Sequence, residues 1–574
     1  MIKQPNILLL LVDEERYPPP YENAEIRAWR QYNLLAQQWL RENGLEFHSH
    51  YIGSAACAPS RTTLFTGHYP SLHGVTQTDG IAKQAADSDM YWLDRNTVPT
   101  MGDYFREAGY ETYYRGKWHL SNEDIMIPGT QNGLPSYDPV TGIPNADQRL
   151  YEEADRLEAY GFSGWIGPEP HGRNPRNSGS SAGFGASGRD EYYADEVVRL
   201  IGELDRRRNR KPWLITASIV NPHDIVLYGD LTTRLPQFRF DVDPSIPEVS
   251  PPPTLHENLQ TKPRCQASYR DLYPVALQPI TNHSYYRRLY YQLQKNADQQ
   301  LQKILEAITH TSCFEDTIII FTSDHGDLLG AHGGLHQKMY CAYEEMLHVP
   351  LVIYNKKLIP QARSISGMTS HLDLLPTLLG LANIPVDDVR SRLQGRFSEA
   401  RPLVGRNLAP VVRNPDAPFP DSPIYFMTDD DMLRGQHQTG PLGNPYPPAA
   451  QPNHIEAVII TLPRNGRNER WKLSRYADDP KFWSTPGVQD VTYWPTHPAH
   501  NPAEIAWAPR VKTIPVPDEY ELYCLTDDPL ETRNLAQAAY SSAYADVLAS
   551  MMSVLAEQRA RKRLTPGRTR SYKI

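Results

Sequence analysis

A cysteine begins a segment whose residue types suit nucleophilic chemistry at the start of a helix. The segment runs from Cys57 to Gly67 and reads CAPSRTTLFTG. Pro59 suits the first turn of a helix, where its missing N–H costs nothing. Cys57 would then lie at a helix N-terminus, which favours a developing negative charge, and Arg61 would return to the same centre one turn later. These features predict an activated nucleophile at Cys57, and the alternative is a buried structural cysteine beside a helix cap.

Two apolar runs are followed by side chains that could bind a ligand. The runs at 6–12 and 317–322 lead into Asp13, Glu14, Asp324 and His325. Uninterrupted apolar runs fit central parallel strands that are buried on both faces. Open α/β sheets bind their ligands at the carboxyl ends of such strands, so these side chains are candidate binding groups. For the first run, the alternative is a solvated strand end.

Basic and imidazole side chains follow two further strand-like runs. Residues 109–119 read GYETYYRGKWH, which indicates a strand that opens onto Lys117 and His119. Alternation along an extended segment would place both side chains on one side, where they would suit an anionic group. The alternative is a solvated basic turn. His223 likewise follows the predicted strand at 213–219.

The elements that must position these residues alternate between strands and helices. Amphipathic patterns predict helices at 22–43, 97–108, 190–208 and 284–309. Segments rich in Gly, Ser or Pro at 163–190 and 226–283 predict a mobile loop or lid and a covering insertion. Beyond about residue 415 this rhythm stops, and strand-like runs at 424–427, 455–461, 471–474 and 520–525 predict a small antiparallel sheet with a final helix at 537–558. We therefore expect an α/β domain at 1–415 and a C-terminal subdomain at 416–574.

Composition excludes several classes of protein. The chain has 574 residues, 40% of them hydrophobic and 22% charged, as in ordinary soluble globular proteins. A net charge of -9 argues against general nucleic-acid binding. The five cysteines are scattered and odd in number, so they form no disulfide framework and fit a reducing compartment. The six-residue apolar run at 7–12 is too short for a signal peptide or a membrane span, so we expect a cytoplasmic protein without a membrane partner.

The segments described above resemble the sulfatase family. The Cys57 segment resembles its signature, cysteine-x-Pro-Ser-Arg, and residues 109–119 resemble the second signature, Gly-Tyr-x-Thr followed by Gly-Lys-x-His. The segments at 323–345, 371–378, 405–408 and 521–536 are also similar to the family and occur in the expected order. The resemblance covers nearly the whole chain. It implies an alkaline-phosphatase-like α/β fold and an enzyme that hydrolyses sulfate monoesters.

The resemblance also implies a modification and a metal. Cys57 would be oxidised to formylglycine by a formylglycine-generating enzyme, and the hydrated aldehyde would be the nucleophile. One divalent cation would be bound by residues from three segments: Asp13, Glu14, Cys57, Asp324 and His325. Many sulfatases have a second aspartate where Glu14 stands and asparagine where His325 stands. The nitrogen of His325 favours Mn²⁺ over Ca²⁺, and Mg²⁺ is the least favoured of the three ions. The choice between Mn²⁺ and Ca²⁺ stays open.

The remaining roles follow from the same resemblance. Arg61 and the metal would stabilise the nucleophile, and Lys117 and Lys338 would neutralise sulfate oxygens. His223, with Lys338, would assist the departing alcohol oxygen. His119 would take a proton from the second hydroxyl, which expels sulfate and restores the aldehyde. The basic tail after residue 558 suggests packing on a neighbouring subunit in a homodimer or homotetramer.

Three alternatives stay open at this stage. The Asp324-His325 pair also resembles phosphonate monoester hydrolases and choline sulfatases, although those phosphonate enzymes tend to lack the Lys117 and His119 pair. A binding protein that keeps the fold without catalysis, or a plain cysteine hydrolase, would leave Cys57 unmodified. Small aryl sulfates are the expected substrates. The loops at 120–190, 226–283 and 429–455 would shape the pocket for the alcohol.

Overall fold

The computed structural model describes residues 4–170, 175–179, 188–208, 210–238, 241–464, 466–495 and 507–567. The strands, numbered β1 to β16 in chain order, are Asn6–Asp13, Leu45–Phe47, His50–Tyr51, Glu111–Gly116, Trp213–Pro222, Thr317–Ser323, His348–Val349, Leu351–Tyr354, Arg363–Ile365, Thr369–Ser370, Ile424–Thr428, His454–Arg464, Arg467–Ala477, Asp490–Pro495, Trp507–Lys512 and Glu519–Cys524. The helices, α1 to α15, are Ala24–Asn33, Leu35–Asn43, Cys57–Thr66, Pro70–His73, Met101–Glu107, Gln148–Ala154, Arg189–Arg206, Arg264–Ala276, His283–Thr309, Ala331–Gly334, Glu344–Leu347, His371–Leu381, Val386–Leu393, Ala409–Arg413 and Ser541–Lys562.

The central sheet has seven strands in the order β4-β5-β1-β6-β8-β2-β9. Strands β4, β5, β1 and β6 run parallel, and β8 is antiparallel to both of its neighbours. In β1, Leu9 and Leu11 contact a core that includes α3, α5 and α12, whereas Leu8 and Leu10 contact α2, α7 and α9. Helices therefore cover both faces, which explains why β1 is apolar from Ile7 to Val12. The predicted α/β fold with a mostly parallel sheet is confirmed.

A second, smaller sheet is formed by β11, β12, β13 and β16, all antiparallel. Helix α15 packs on one face of it through Val547, Met551 and Leu555. The other face contacts α8 and the segment at 339–349 of the α/β core. The predicted antiparallel sheet and final helix are thus present, and β14 and β15 form an additional hairpin that the sequence pattern did not indicate.

One predicted helix is wrong, and one predicted insertion contains a helix that the sequence pattern did not indicate. The single helix expected at 22–43 is broken at Leu34 into α1 and α2, because the Asp298 carboxylate of α9 accepts hydrogen bonds from the backbone N–H groups of Ala36 and Gln37 at 2.9 and 3.0 Å. The insertion at 226–283 contains the helix α8, whose inward face includes Cys265 and Tyr269. Polar and aromatic residues hide the periodicity of α8, and Pro274 lies inside it.

Other predicted elements are present with shifted ends. Helices α5, α7 and α9 match the patterns at 97–108, 190–208 and 284–309. Much of the loop predicted at 163–190 lies outside the described residues, as does the tail beyond residue 567. In the described part of the chain, each helix is too short or too polar to cross a membrane. All five cysteines are buried with free thiols.

Candidate active site

The ends of β1 and β6 bring two acidic segments together. The strands are paired in parallel with Val12 opposite Ser323, so the next residues, Asp13 and Asp324, emerge side by side. The backbone N–H of Glu14 donates to Asp324 Oδ1 at 3.0 Å, which joins the two segments directly. Glu14 has a φ of 72°, a left-handed conformation that turns the chain sharply after the strand. All of these side chains are buried.

Helix α3 places Cys57 and Arg61 over these strand ends. Cys57 is the first residue of the helix and is buried. Its Sγ lies 3.0 Å from His325 Nε2 and 3.8 Å from Asp13 Oδ1. One turn later, Arg61 donates through Nε to Asp324 Oδ2 at 2.8 Å and through Nη2 to Asp13 Oδ2 at 3.1 Å. Arg61 thus returns to the two strand-end carboxylates that lie beside Cys57.

Four side chains could hold a cation beside Cys57. Ligand atoms of Asp13, Cys57, Asp324 and His325 lie within 4.8 Å of one another. His325 donates through Nδ1 to the carbonyl of Gly326 at 3.1 Å, which leaves Nε2 facing Cys57 and the carboxylates. Fixing one ring nitrogen in this way is the usual means of orienting a metal-binding histidine.

Glu14 forms a further potential ligand group with Asp13 and His223. Its Oε1 is buried and accepts no hydrogen bond from the described residues. Burial, aided by Asp327, raises the pKa of Glu14 well above its usual range against the opposing charge of Lys338. A buried carboxylate oxygen without a hydrogen-bond donor is a candidate ligand for a cation. The carboxylates of Asp13 and Asp324 and the imidazole of His325 fit a divalent metal ion, and Glu14 adjoins them through Asp13.

Two lysines approach the same carboxylates. Lys117 Nζ lies 2.7 Å from Asp13 Oδ2, and Lys338 Nζ lies 2.7 Å from Glu14 Oε2. Burial opposes the charge of Asp13, but the ammonium of Lys117 holds the pKa of Asp13 well below its usual range. Burial likewise opposes the charge of Lys338, yet Cys57 and Glu14 raise its pKa. Both lysines thus stay cationic in a buried site.

The two histidines lie on different sides of the site. His223 begins a turn that follows β5 and shares a potential ligand group with Asp13 and Glu14. Burial and the charge of Lys117 lower the pKa of His223 well below its usual range, so its ring is neutral. His119 lies close to Cys57, and its Nε2 is 2.7 Å from Asp79 Oδ1.

The predicted strand alternation of Lys117 and His119 is wrong. Strand β4 ends at Gly116, and His119 has a φ of 61°, so the segment is not extended. A carboxylate of Glu169 accepts a hydrogen bond from the intervening backbone N–H of Trp118 at 3.0 Å. This turn, rather than the strand period, brings both side chains to the site.

Sequence reasoning missed two acids that lie beside these residues. Asp79 contacts His119, and Asp430 accepts hydrogen bonds from the backbone N–H groups of Ala56 and Thr78 at 3.3 and 3.2 Å. Asp79 lies in an irregular loop, and Asp430 lies 373 residues beyond Cys57 in the chain. Neither has a periodic or motif context, so no local signal points to them.

Comparison with known proteins gives the family. The sequence profile of the Sulfatase family matches residues 5–384. The chain is 26% identical over 401 residues to the uncharacterized sulfatase YidJ of Escherichia coli, covering 68% of this chain and 70% of that protein. It is 28% identical over 409 residues to the choline-sulfatase of Rhizobium meliloti, again covering 68% of this chain and 70% of the relative. The chain therefore belongs to the Sulfatase family. Its sulfatase relatives support the assignment of this chain as a sulfuric ester hydrolase.

Solved structures share the fold over almost the full length. A 2-O GAG sulfatase matches with a TM-score of 0.60 at 19% identity, covering 98% of this chain and 93% of the other. The phosphonate monoester hydrolase of Agrobacterium radiobacter matches with a TM-score of 0.54 at 19% identity, covering 96% of both chains. Since sulfatase and phosphonate hydrolase structures both match at this level, the comparison establishes the alkaline-phosphatase-like fold and leaves the substrate to other arguments.

Proposed function

We propose that this protein hydrolyses sulfate monoesters, with aryl sulfates as substrates, at a formylglycine formed from Cys57 and with one bound divalent cation. The observation that carries the proposal is the convergence of three buried cations, Arg61, Lys117 and Lys338, on the surroundings of Cys57. Such an arrangement suits a small anionic group that gains charge on its oxygens during reaction. A thiol protease or a structural cysteine has no need of it.

The residues of this chain have distinct tasks in the proposed reaction. When present, formylglycine supplies a hydrated aldehyde as the nucleophile, and the cation supplies positive charge beside it. Arg61 holds Asp13 and Asp324 in their binding orientation through its two hydrogen bonds. Lys117 and Lys338 each direct an ammonium group toward the sulfate oxygens. His223 and Lys338 assist the departing alcohol oxygen, and His119 accepts a proton at residue 57.

We propose Mn²⁺ as the bound ion, with Ca²⁺ as the alternative. The donor set combines the carboxylates of Asp13 and Asp324 with the imidazole of His325, and a nitrogen ligand favours a transition metal over Ca²⁺. The same histidine supports a second candidate function, hydrolysis of phosphonate monoesters or phosphodiesters. We place it second because Lys117 and His119 both lie at the site.

One experiment separates the two functions. Turnover of 4-nitrophenyl sulfate and of a phenylphosphonate monoester is measured side by side with Mn²⁺ or Ca²⁺ supplied. We expect the sulfate ester to be preferred by orders of magnitude, and a preference for the phosphonate would overturn the proposal. Peptide mass spectrometry on the same preparation shows whether Cys57 carries formylglycine, so that an inactive result from unmodified protein is recognised.

The proposal extends to partners and surroundings of the enzyme. A formylglycine-generating enzyme would mature Cys57, and the protein would act in the cytoplasm as a homodimer or homotetramer. Light scattering coupled to size exclusion measures the assembly, and a monomer would contradict this part. The boundary near residue 415 is proposed as the limit of the catalytic domain, which limited proteolysis can locate.

A further inference from the structure

The side chain of His119 is held between an acid and the nucleophile position. Its Nε2 lies 2.7 Å from Asp79 Oδ1. Its Nδ1 is buried and makes no hydrogen bond to the described residues, while the Cys57 side chain lies within reach of the same ring. The indole of Trp92 packs against the ring, with 5.7 Å between centroids. The imidazole is thus confined on three sides.

The carboxylate determines which ring nitrogen carries hydrogen. A neutral imidazole has one N–H and one lone pair, and a carboxylate can only accept. With Asp79 at Nε2, the hydrogen lies on Nε2 and the lone pair lies on Nδ1. The nitrogen that can accept a proton is therefore the one that is not bonded to Asp79. A carboxylate holds the imidazole of serine hydrolases in its working tautomer in the same way.

We propose that Asp79 is a positioning residue, which fixes the orientation and tautomer of His119 so that Nδ1 accepts the proton whose removal releases sulfate. The inference rests on the proposed function. His119 takes the proton of a hydroxyl on residue 57, and the electron pair of that O–H bond becomes the second bond of a carbonyl. The C–O bond to sulfate breaks, and its electron pair leaves on sulfate. No oxidant or further reactant is needed.

The arrangement predicts an effect on one step only. Lys117 and Lys338 pair with Asp13 and Glu14, whereas Asp79 pairs with His119. Cleavage of the bond between sulfur and the alcohol oxygen therefore does not depend on Asp79. Release of sulfate from residue 57 depends on Asp79, because that step needs the lone pair of His119 Nδ1.

The kinetic test compares Asp79→Asn and Asp79→Ala with the native enzyme on two aryl sulfates that differ in leaving-group pKa. We expect kcat to fall by about 10²-fold or more, in the range of lost general base catalysis. The KM should fall in the same proportion, so that kcat/KM stays within about twofold, because kcat/KM reports only the steps through the first irreversible one. When release of sulfate from residue 57 is the slowest step, kcat should also become equal for the two substrates, because both form the same sulfated residue.

The chain offers a matched control in a second pair of the same kind. His437 Nε2 lies 3.2 Å from Asp87 Oδ1, and this half-buried pair is not among the residues described around Cys57. Asp87→Asn should leave kcat and KM unchanged. A loss of kcat/KM in the Asp79 variants, or no loss of kcat, would overturn the proposal, since the first result indicates general distortion and the second indicates no role.

A second measurement does not depend on catalysis. Histidine labelled with ¹⁵N in protein with unmodified Cys57 reports the tautomer of each ring, and His119→Gln identifies the signal of His119. We expect Nε2–H in the native chain and loss of this preference in Asp79→Ala, with no change in Asp87→Asn. An unchanged tautomer in Asp79→Ala would overturn the inference. If modified enzyme turns over no sulfate ester, the proposed function fails, whereas this signal still tests the pairing of Asp79 with His119.

Discussion

At the scale of single residues, Arg61 joins the ends of the neighbouring strands β1 and β6. Its guanidinium reaches Asp13 and Asp324 and also donates through Nη1 to the backbone carbonyl of Lys117 at 2.7 Å. The side chain is fully buried. Because a planar fork can satisfy several acceptors at once, arginine suits this position better than a compact ammonium group. The residue therefore positions parts of three segments.

Replacement of Arg61 should destabilise the protein. Arg61→Met removes the guanidinium that contacts both buried carboxylates and leaves only Lys117 beside Asp13, which is expected to lower the free energy of unfolding by about 3–5 kcal/mol. Arg61→Lys should restore only part of this, since one ammonium cannot bridge both acids. Urea-induced unfolding measures both variants. Native stability of Arg61→Lys would show that charge alone, without the fork, is sufficient.

His325 should control which cation the site prefers. Its Nε2 faces the carboxylates and is the nitrogen donor among the candidate ligands. Replacing nitrogen by an amide oxygen in His325→Asn should favour Ca²⁺, because Ca²⁺ prefers oxygen ligands. After treatment with a chelator, we expect Mn²⁺ to reactivate the native enzyme better than Ca²⁺ and the order to reverse in the variant. An unchanged order, with metal content measured by mass spectrometry, would contradict the assignment of His325 as a ligand.

At the scale of elements, the turn after β4 sets the position of Lys117. Gly116 has a φ of 105°, and a Cβ there would lie 1.8 Å from the backbone oxygen of Ser218 on β5. Both features exclude any residue other than glycine at position 116, since the backbone of Ser218 cannot move aside for a side chain. The tight approach of β4 to β5 thus places the lysine over Asp13.

A pair of glycine variants tests this turn. Gly116→Ala should lower kcat/KM by about 10²-fold, the effect expected when a catalytic group is displaced by about 1 Å. Gly109→Ala is the matched control, because Gly109 also has a positive φ of 91° but a Cβ there meets nothing within 4 Å. It should cost only about 1–2 kcal/mol of stability. Equal kinetics for both variants would mean that the turn does not position Lys117.

At the scale of the whole molecule, buried ion pairs join the α/β core to the C-terminal sheet. His332 lies between two carboxylates, with Nδ1 3.2 Å from Glu257 Oε2 and Nε2 3.2 Å from Glu345 Oε2. Lys472 of β13 pairs with Glu344 of the core and with Glu531. Since both ring nitrogens of His332 face carboxylates, the arrangement favours the imidazolium form of the ring.

The charge of His332 should make stability depend on pH. Burial opposes this charge, but Glu345 and Glu257 raise the pKa of His332 to about 9. In the unfolded chain the pKa is about 6.5, so the contribution is fully present below that pH and is lost as pH rises through about 9. The free energy of unfolding should fall by about 3 kcal/mol across this window, from about 1.4 kcal/mol per pKa unit.

The His332→Gln variant checks this prediction. It should be less stable than the native protein at pH 6 and should lack the decline between pH 6.5 and pH 9. Unfolding by urea at several pH values gives the two profiles. Parallel profiles would show that the decline arises from other groups.

Much of the fold could be predicted because its elements are locally encoded. The apolar run of β1, the β-branched run of β6 and the long stripe of α9 need no distant partner to be recognised. The break between α1 and α2 could not be predicted, because the Asp298 carboxylate that caps α2 comes from a residue 262 positions away. The predicted site residues lie together, but their roles in the reaction stay predictions.

By itself, the sequence determined the nature of the reactive groups and the strands that carry them. The signature around Cys57 and the acids after β1 and β6 are short-range patterns, so they can be recognised in the linear chain. Only the tertiary structure decided the left-handed turn at His119, the contact of Asp79 with its ring and the position of Asp430 beside Ala56. These depend on backbone turns and on contacts between distant segments, which arise only when the chain packs and buries its polar groups against one another.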